Sequence, residues 1–249
     1  MSYGDLQGVR LPDAVTVQDG PIEDIARFLL TADQIARDRG IRLRVRRDID
    51  ELVALNRREA AAGNWYPLFP VFDPAQNEVD ETNFYWISGT AENGETVVAQ
   101  AGRLFDWHDP DPTALIARLL YPNARRHPPI LLDRSSVKSV SGRVCFSGST
   151  WFHPNYRRLG LSRILPRVSR VFAFGQWSTD WTISVVRREH VELNIASAYG
   201  YSDIQLGILA PGHPIGDLDI ALVRMPRSEL FSDIERFVAE RLAVRRQVA

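Results

Sequence analysis

The chain is poor in several things, and each shortage removes a class of protein. One cysteine, Cys145, rules out an intrachain disulfide framework and fits a reducing interior. Five scattered histidines, His108, His127, His153, His190 and His213, show no metal-ligand spacing, so no structural metal is expected. No apolar run approaches the ~20 residues that a membrane helix needs. The N-terminus, MSYGDLQGVRLPDAV, lacks the charged-then-apolar design of a signal peptide, so a cytoplasmic protein is expected. Thirty basic and thirty-one acidic side chains nearly cancel, which argues against a general nucleic-acid binder. Internal repeats and low-complexity segments are also missing.

What remains is an ordinary globular composition, 45% hydrophobic and 24% charged over 249 residues, enough for a sizeable core. Ile22, Ile25, Ala26, Leu29 and Ala36 fall on one helical face, with Asp19 and Pro21 at its start and Gly40 at its stop. "IRLRVRRD" then alternates as a half-buried strand, and Arg42, Arg44 and Arg46 read as its solvated face. "DIDELVALNRREAAAG" reads as a helix ending at Gly63. Trp65, Tyr66, Phe69 and Phe72, in a proline-rich run that fits neither period, either line a pocket or plug the core beneath a loop.

"NFYWISGTAENGETVVAQAGRLFDW" is a hairpin, for which Asn93-Gly94 supplies the positive φ angles of a two-residue turn. "TALIARLL" is a short helix, and residues 121–142 look irregular, the best candidate for a mobile insertion. Beyond it come a strand, "GRVCFSGSTWFHP", a helix, "RRLGLSRILPRVSRVFAF", a strand, "DWTISVV", and a helix, "REHVELNIASAYG". Two strands, "SDIQLGIL" and "LDIALVRM", and an amphipathic closing helix follow. Pro166 inside the second helix is expected to bend it. An α/β fold follows, with one mixed, mostly antiparallel sheet of about six or seven strands and helices on both faces.

A helix N-terminus carries unpartnered N–H groups and a partial positive charge, which suits a diphosphate, and a residue without Cβ permits close approach. "RRLGLS" places Gly160 where a strand gives way to a helix, with Arg157 and Arg158 before it and Ser162 after. The pattern is short and common by chance. Its context, strand, Pro, Arg-x-x-Gly, helix and next strand, resembles the acyl-CoA-binding core of the GNAT superfamily of N-acyltransferases. That family's signature is Arg/Gln-x-x-Gly-x-Gly/Ala. Arg157, Gly160 and Ser162 stand on its three positions, Ser162 being a mild departure. The order agrees over roughly residues 41–225, and Gly200-Tyr201 matches the family's Gly-Phe pair.

The resemblance implies an N-terminal helical extension over 1–40, an acyltransferase domain over 41–225 with an insertion at about 106–142, and a C-terminal helix over 226–249. It implies acetyl-CoA or another acyl-CoA as co-substrate and a small-molecule amine as acceptor, with no nucleic acid or membrane partner. A homodimer is compatible, because the amphipathic terminal helices can pack on the core or on a second subunit. Backbone N–H groups of Arg158, Leu159, Gly160, Leu161 and Ser162 would hold the pyrophosphate, with Arg157 and Arg158 adding charge. Thr150, Trp151 and Phe152 would run beside the pantetheine arm, between two strands that splay apart.

Three departures bear on catalysis. The family's frequent general-acid Tyr is here Ala196, with Tyr199 on another side of the same expected helix. "GRVCFSGSTW" carries no carboxylate for a general base. Residues 106–142 also separate strands that usually connect tightly. His153, His190 and Tyr199 are the candidate proton-handling groups, and either histidine also reads as a surface or capping residue. Glu189 and Glu192 share a face that attracts a cationic amine or is simply solvated. Cys145, mid-strand, reads as buried and inert. The alternative to an enzyme is an inactive module of the same fold that senses acyl-CoA or a metabolite.

Overall fold

The computed structural model describes residues 8–17, 20–109, 111–122, 124–132, 139–213 and 216–248, with side chains to residue 243. Asp19, expected at a helix start, lies outside the described residues, as do residues 133–138 of the expected insertion.

A short strand β1 (Val9–Arg10) leads to α1 (Ile22–Arg37), β2 (Arg42–Arg46) and α2 (Ile49–Ala61). The α2 start is capped by the Asp48 carboxylate, which accepts from the amides of Asp50 and Glu51. The hairpin β3 (Phe84–Thr90) and β4 (Thr96–Trp107) follows, then α3 (Pro112–Leu120) and β5 (Gly142–Phe152). The chain continues through α4 (Leu165–Trp177), β6 (Trp181–Arg187), the short helices α5 (Arg188–Glu192) and α6 (Ile195–Ala198), β7 (Asp203–Ala210), β8 (Leu218–Pro226) and α7 (Arg227–Val248). All strands join one sheet in the order β1-β2-β3-β4-β5-β6-β8-β7. Every neighbouring pair is antiparallel except β5 and β6. Among the described residues no helix is long and apolar enough to cross a membrane.

Side-chain alternation divides the core into two layers. Leu43 and Val45 of β2 and Val186 of β6 face α1, α4 and α7, where Phe28 meets Phe237 edge-on at 5.8 Å. On the other face Trp86, Phe146, Ile183 and Ile220 pack with α2, α3 and the aromatic run, including fully buried Phe72. The terminal helices α1 and α7 thus share one core with the central helix α4.

Four local features differ from the sequence reading. The sheet has eight strands because β1 adds an edge. The β3–β4 connection is not a two-residue turn. The Ala91 amide donates to the Glu95 carbonyl, that of Gly94 donates to Ala91, and Gly94 takes φ +85° whereas Asn93 does not take a positive φ. Helix α4 begins only at Leu165, so Pro166 sits in its first turn, where no hydrogen bond is lost and no bend results. The helix expected over "REHVELNIASAYG" is broken into α5 and α6 by Asn194 at φ +57°, a left-handed angle that Asn tolerates better than most residues. The arginine face of β2 is covered in part. Arg46 pairs with Glu51 of α2 and lies 5.4 Å over the Trp86 ring. The described part of the insertion meets the sheet edge, where Leu131 bridges Leu209 of β7.

Candidate active site

The parallel pair β5–β6 is in register over only Val144–Phe146 and Trp181–Ile183. Beyond it, β5 continues to Phe152 and β6 to Arg187 without pairing to each other, so the sheet opens along its middle. A bulge in β5 helps to part them. Ser149 takes φ +50°, and the register with β4 slips between Ala99 and Ala101. The Ser149 hydroxyl accepts from the Phe69 amide at 3.2 Å, which ties the bulge to the aromatic run.

A cleft of about 180 Å³ fills this opening. Its walls are Gly148, Ser149 and Thr150 of β5 and Ser184, Val185, Val186 and Arg187 of β6. Trp65, Tyr66, Pro67 and Phe69 close one side, Leu218 and Ile220 extend it, and His190 and Tyr199 complete it. The aromatic run therefore serves both readings: three of its aromatics line the cleft and Phe72 is core. Of the three β5 residues proposed to flank a pantetheine arm, Thr150 lines the cleft. Buried Trp151 stacks on Trp65 at 5.2 Å, and Phe152 packs on the core of the opposite face.

The loop after β5 ends this structure. A 3-10 turn (Pro154–Tyr156) and a second one (Leu161–Arg163) flank Arg158 and Gly160, both at left-handed angles, φ +64° and +72°. Among the described residues, no hydrogen bond is made by the amides of Arg158, Gly160, Leu161 and Ser162, while that of Leu159 closes the turn at Arg157 and Arg158. Such a group of free donors curled by two left-handed residues is an anion cradle. A Cβ built on Gly160 would meet only the Arg39 Nη2, at 4.0 Å, so the space before the loop is open.

The charges sit differently from expectation. Arg157 donates to the carbonyls of Phe152 and Asn64, at 3.2 and 2.9 Å, and so fastens the loop to the end of α2. Arg39, just beyond α1, donates to the Leu159 carbonyl and to that of Ile35. It supplies a cation to the loop that no local pattern reveals, because 120 residues separate the partners.

The proton-handling candidates separate. His153 caps the first 3-10 turn, its Nδ1 accepting from the Asn155 amide at 3.3 Å, and does not line the cleft. His190 and Tyr199 both line it. On one continuous helix, nine residues would place them about 180° apart. The break at Asn194 brings them to one cavity. Burial is the main cause that lowers the His190 pKa from the ordinary 6.5, and burial also raises that of Tyr199 above 10.0. His190 is therefore neutral and Tyr199 protonated at pH 7. Glu189 and Glu192 are exposed and outside the cleft. Cys145 is fully buried, and burial pushes its thiol up to about 12, which leaves it inert. No cluster of three metal-ligating groups occurs among the described residues, and His108 has only exposed Asp106 beside it, at 3.0 Å.

The segment carrying Tyr199 is held from below. Arg170 donates to the Tyr199 carbonyl at 2.8 Å and Arg167 to that of Ala198 at 3.0 Å, and both guanidinium groups reach buried Asp233 of α7. Gly200, at φ +89°, is required here, because a Cβ would lie 2.5 Å from Arg167 Nη2 and 2.8 Å from Asp233 Oδ2.

A central parallel pair that splays, a bulged strand leading into a loop of free amides, and a final antiparallel pair together define the site's frame. This is the mixed, mostly antiparallel sheet with helices on both faces that the sequence's resemblance to the GNAT superfamily leads one to expect. No protein-family model matches the sequence, and no curated protein is similar to it. Solved structures with a similar course of chain include NAA60 of Arabidopsis thaliana in complex with acetyl-CoA. It is 11% identical, with a TM-score of 0.45 over 74% of this chain and 99% of its own. The spermidine N-acetyltransferase SpeG of Vibrio cholerae is 9% identical, with a TM-score of 0.45 over 77% of this chain and 96% of its own. A phosphinothricin acetyltransferase of Sinorhizobium meliloti, in complex with AcCoA, is 14% identical, with a TM-score of 0.42 over 74% of this chain and 88% of its own. The parted strands and the loop after β5, rather than these distant likenesses, indicate what the chain can hold.

Proposed function

We propose that this chain transfers an acyl group from acyl-CoA to a primary amine of a small molecule. The observation that carries this reading is that β5, one wall of the cleft, leads directly along the chain into the loop. An opening between two parted strands, followed along the chain by a loop with amides free to donate, has the polarity needed by a thioester on a long arm ending in a diphosphate. Arg158, Gly160, Leu161 and Ser162 hold the diphosphate through their N–H groups, and Arg39 adds charge. Thr150 flanks the arm.

Bound acyl-CoA supplies a thioester carbonyl and a sulfur leaving group. Neutral His190 takes a proton from the incoming ammonium, which frees the nitrogen lone pair for attack on the carbonyl. As the C–N bond forms and the C–S bond breaks, Tyr199 gives a proton to the departing sulfur. Nitrogen loses two protons in all, of which one ends on sulfur and the other is released.

The two titratable groups facing the cleft favour an enzyme over a binding module that only senses acyl-CoA. The deciding experiment measures free thiol released from acetyl-CoA with a panel of amines. Amine-dependent release supports transfer, whereas acetyl-CoA binding, seen as a raised melting temperature, without release under any amine would leave the sensor. The His190 assignment has its own test in the pH dependence of kcat at saturating amine. Because burial lowers its pKa, the acid limb should lie below the ordinary histidine value of 6.5. His190→Gln should lower kcat by about 100-fold and remove that limb. An unchanged limb in His190→Gln would assign it to another group.

A further inference from the structure

The cleft's second face bears on which amine it accepts, an inference that rests on the acyl-transfer reading. Residues of β6 alternate between the two core layers. Trp181, Ile183 and Val185 face the layer of α2 and the aromatic run, while Val186 faces that of α4. Arg187 continues the first series, and its guanidinium lies 4.7 Å over the Tyr66 ring. It is thus on the aromatic side of the sheet. The loop of free amides is on the other, where Leu161 packs with α4.

Arg187 is the one permanently charged side chain in the cleft wall, and no Asp or Glu lines the cleft among the described residues. Nor does Arg187 form an ion pair there: the nearby carboxylate of Asp219 is taken by Arg188 at 2.6 Å. Glu189, on the next turn, is exposed and outside the wall. A polyamine would bring ammonium groups into a space that has a cation and no carboxylate to receive them, which opposes its binding. A guanidinium placed over an aromatic ring, with no ion pair among the described residues, is instead suited to a carboxylate, which it meets with two parallel N–H groups. Trp65, Phe69, Val185, Leu218 and Ile220 offer the same ligand apolar surface.

We infer that the acceptor is an amine that also carries a carboxylate and an apolar side chain, an amino-acid-like molecule, and that Arg187 selects it by pairing with the acid group. Of the two readings of Glu189 and Glu192, the solvated face is the one that fits this charge preference.

Matched amines with and without the acid provide the test: phenylalanine against phenethylamine, leucine against isopentylamine, and spermidine as the cationic extreme. Thiol release from acetyl-CoA should favour the acid-bearing member of each pair in kcat/KM by tenfold or more, chiefly through KM, with spermidine the poorest. Arg187→Gln should abolish that ratio, and Arg187→Lys should restore part of it. Equal or better use of the acid-free amines, or a ratio that survives Arg187→Gln, would overturn the assignment. The rise in melting temperature with acetyl-CoA alone reports separately on the acyl-CoA reading, and it should persist in Arg187→Gln. Its loss there would make Arg187 an anchor for the co-substrate and also overturn the inference. Should no amine release thiol, the same pairs are compared by melting temperature in the presence of CoA. A further rise only with the acid-bearing member keeps the selectivity while the transfer reading fails, and no difference between members ends it.

Discussion

Gly160→Glu should abolish the rise in melting temperature that acetyl-CoA gives, a loss of at least 100-fold in affinity. The cause is local. The site holds its ligand with backbone donors, and a carboxylate planted among them meets a diphosphate with both bulk and like charge. The fold should survive, because nothing but the Arg39 side chain approaches the position of the new Cβ. A side chain at φ +72° costs about 1–2 kcal/mol. Gly160→Ala separates the two contributions. It carries the same backbone strain without the charge, and should keep a measurable share of the acetyl-CoA response. Equal affinity in Gly160→Glu and the parent would place the diphosphate elsewhere.

The second large effect is on stability. Asp233 is 1% exposed and is the carboxylate partner of two buried guanidinium groups. Arg167 meets it with two bonds, at 2.9 and 3.0 Å, and Arg170 with one at 3.0 Å, while exposed Arg236 adds a longer contact. Asp233→Ala leaves both buried cations unpaired, at a cost of about 3–5 kcal/mol. For a domain of this size that lowers the melting temperature by roughly 6–20 °C. Replacing all three groups by apolar residues, Arg167→Met, Arg170→Met and Asp233→Leu together, should recover much of the loss, because the damage comes from stranded charge. A fall under 2 °C in Asp233→Ala would contradict the network's role. Because the same arginines hold the carbonyls of Ala198 and Tyr199, the single variant should also weaken the cleft.

The parts of the fold legible in the sequence were those governed by local period. Helices α1 and α2 and strands β2 and β6 carry their pattern in their own residues, and Gly40 and Gly63 end their helices at left-handed angles. The Arg-x-x-Gly-x-Ser run showed where a phosphate loop could lie. Its free amides were not legible, since a donor without an acceptor is a property of three-dimensional neighbours. The sequence pattern starts the helix at the arginines, which puts Pro166 in its interior. The left-handed angles of Arg158 and Gly160 delay that start to Leu165. The break at Asn194 was hidden because "REHVELNIASAYG" has no glycine or proline before its end, yet this break joins His190 to Tyr199. Arg39 and Arg187 are illegible in the sequence for another reason: each acts on a residue more than 100 positions away.

The central claim is that residues 158–162 receive the diphosphate. Backbone amide shifts of the full chain, recorded by NMR as acetyl-CoA is added, test it most directly. The amides of Arg158, Gly160, Leu161 and Ser162 should move downfield together and with one saturation curve, as free donors acquire a charged acceptor. Saturating shifts confined to another part of the chain, with these four unmoved, would contradict the account.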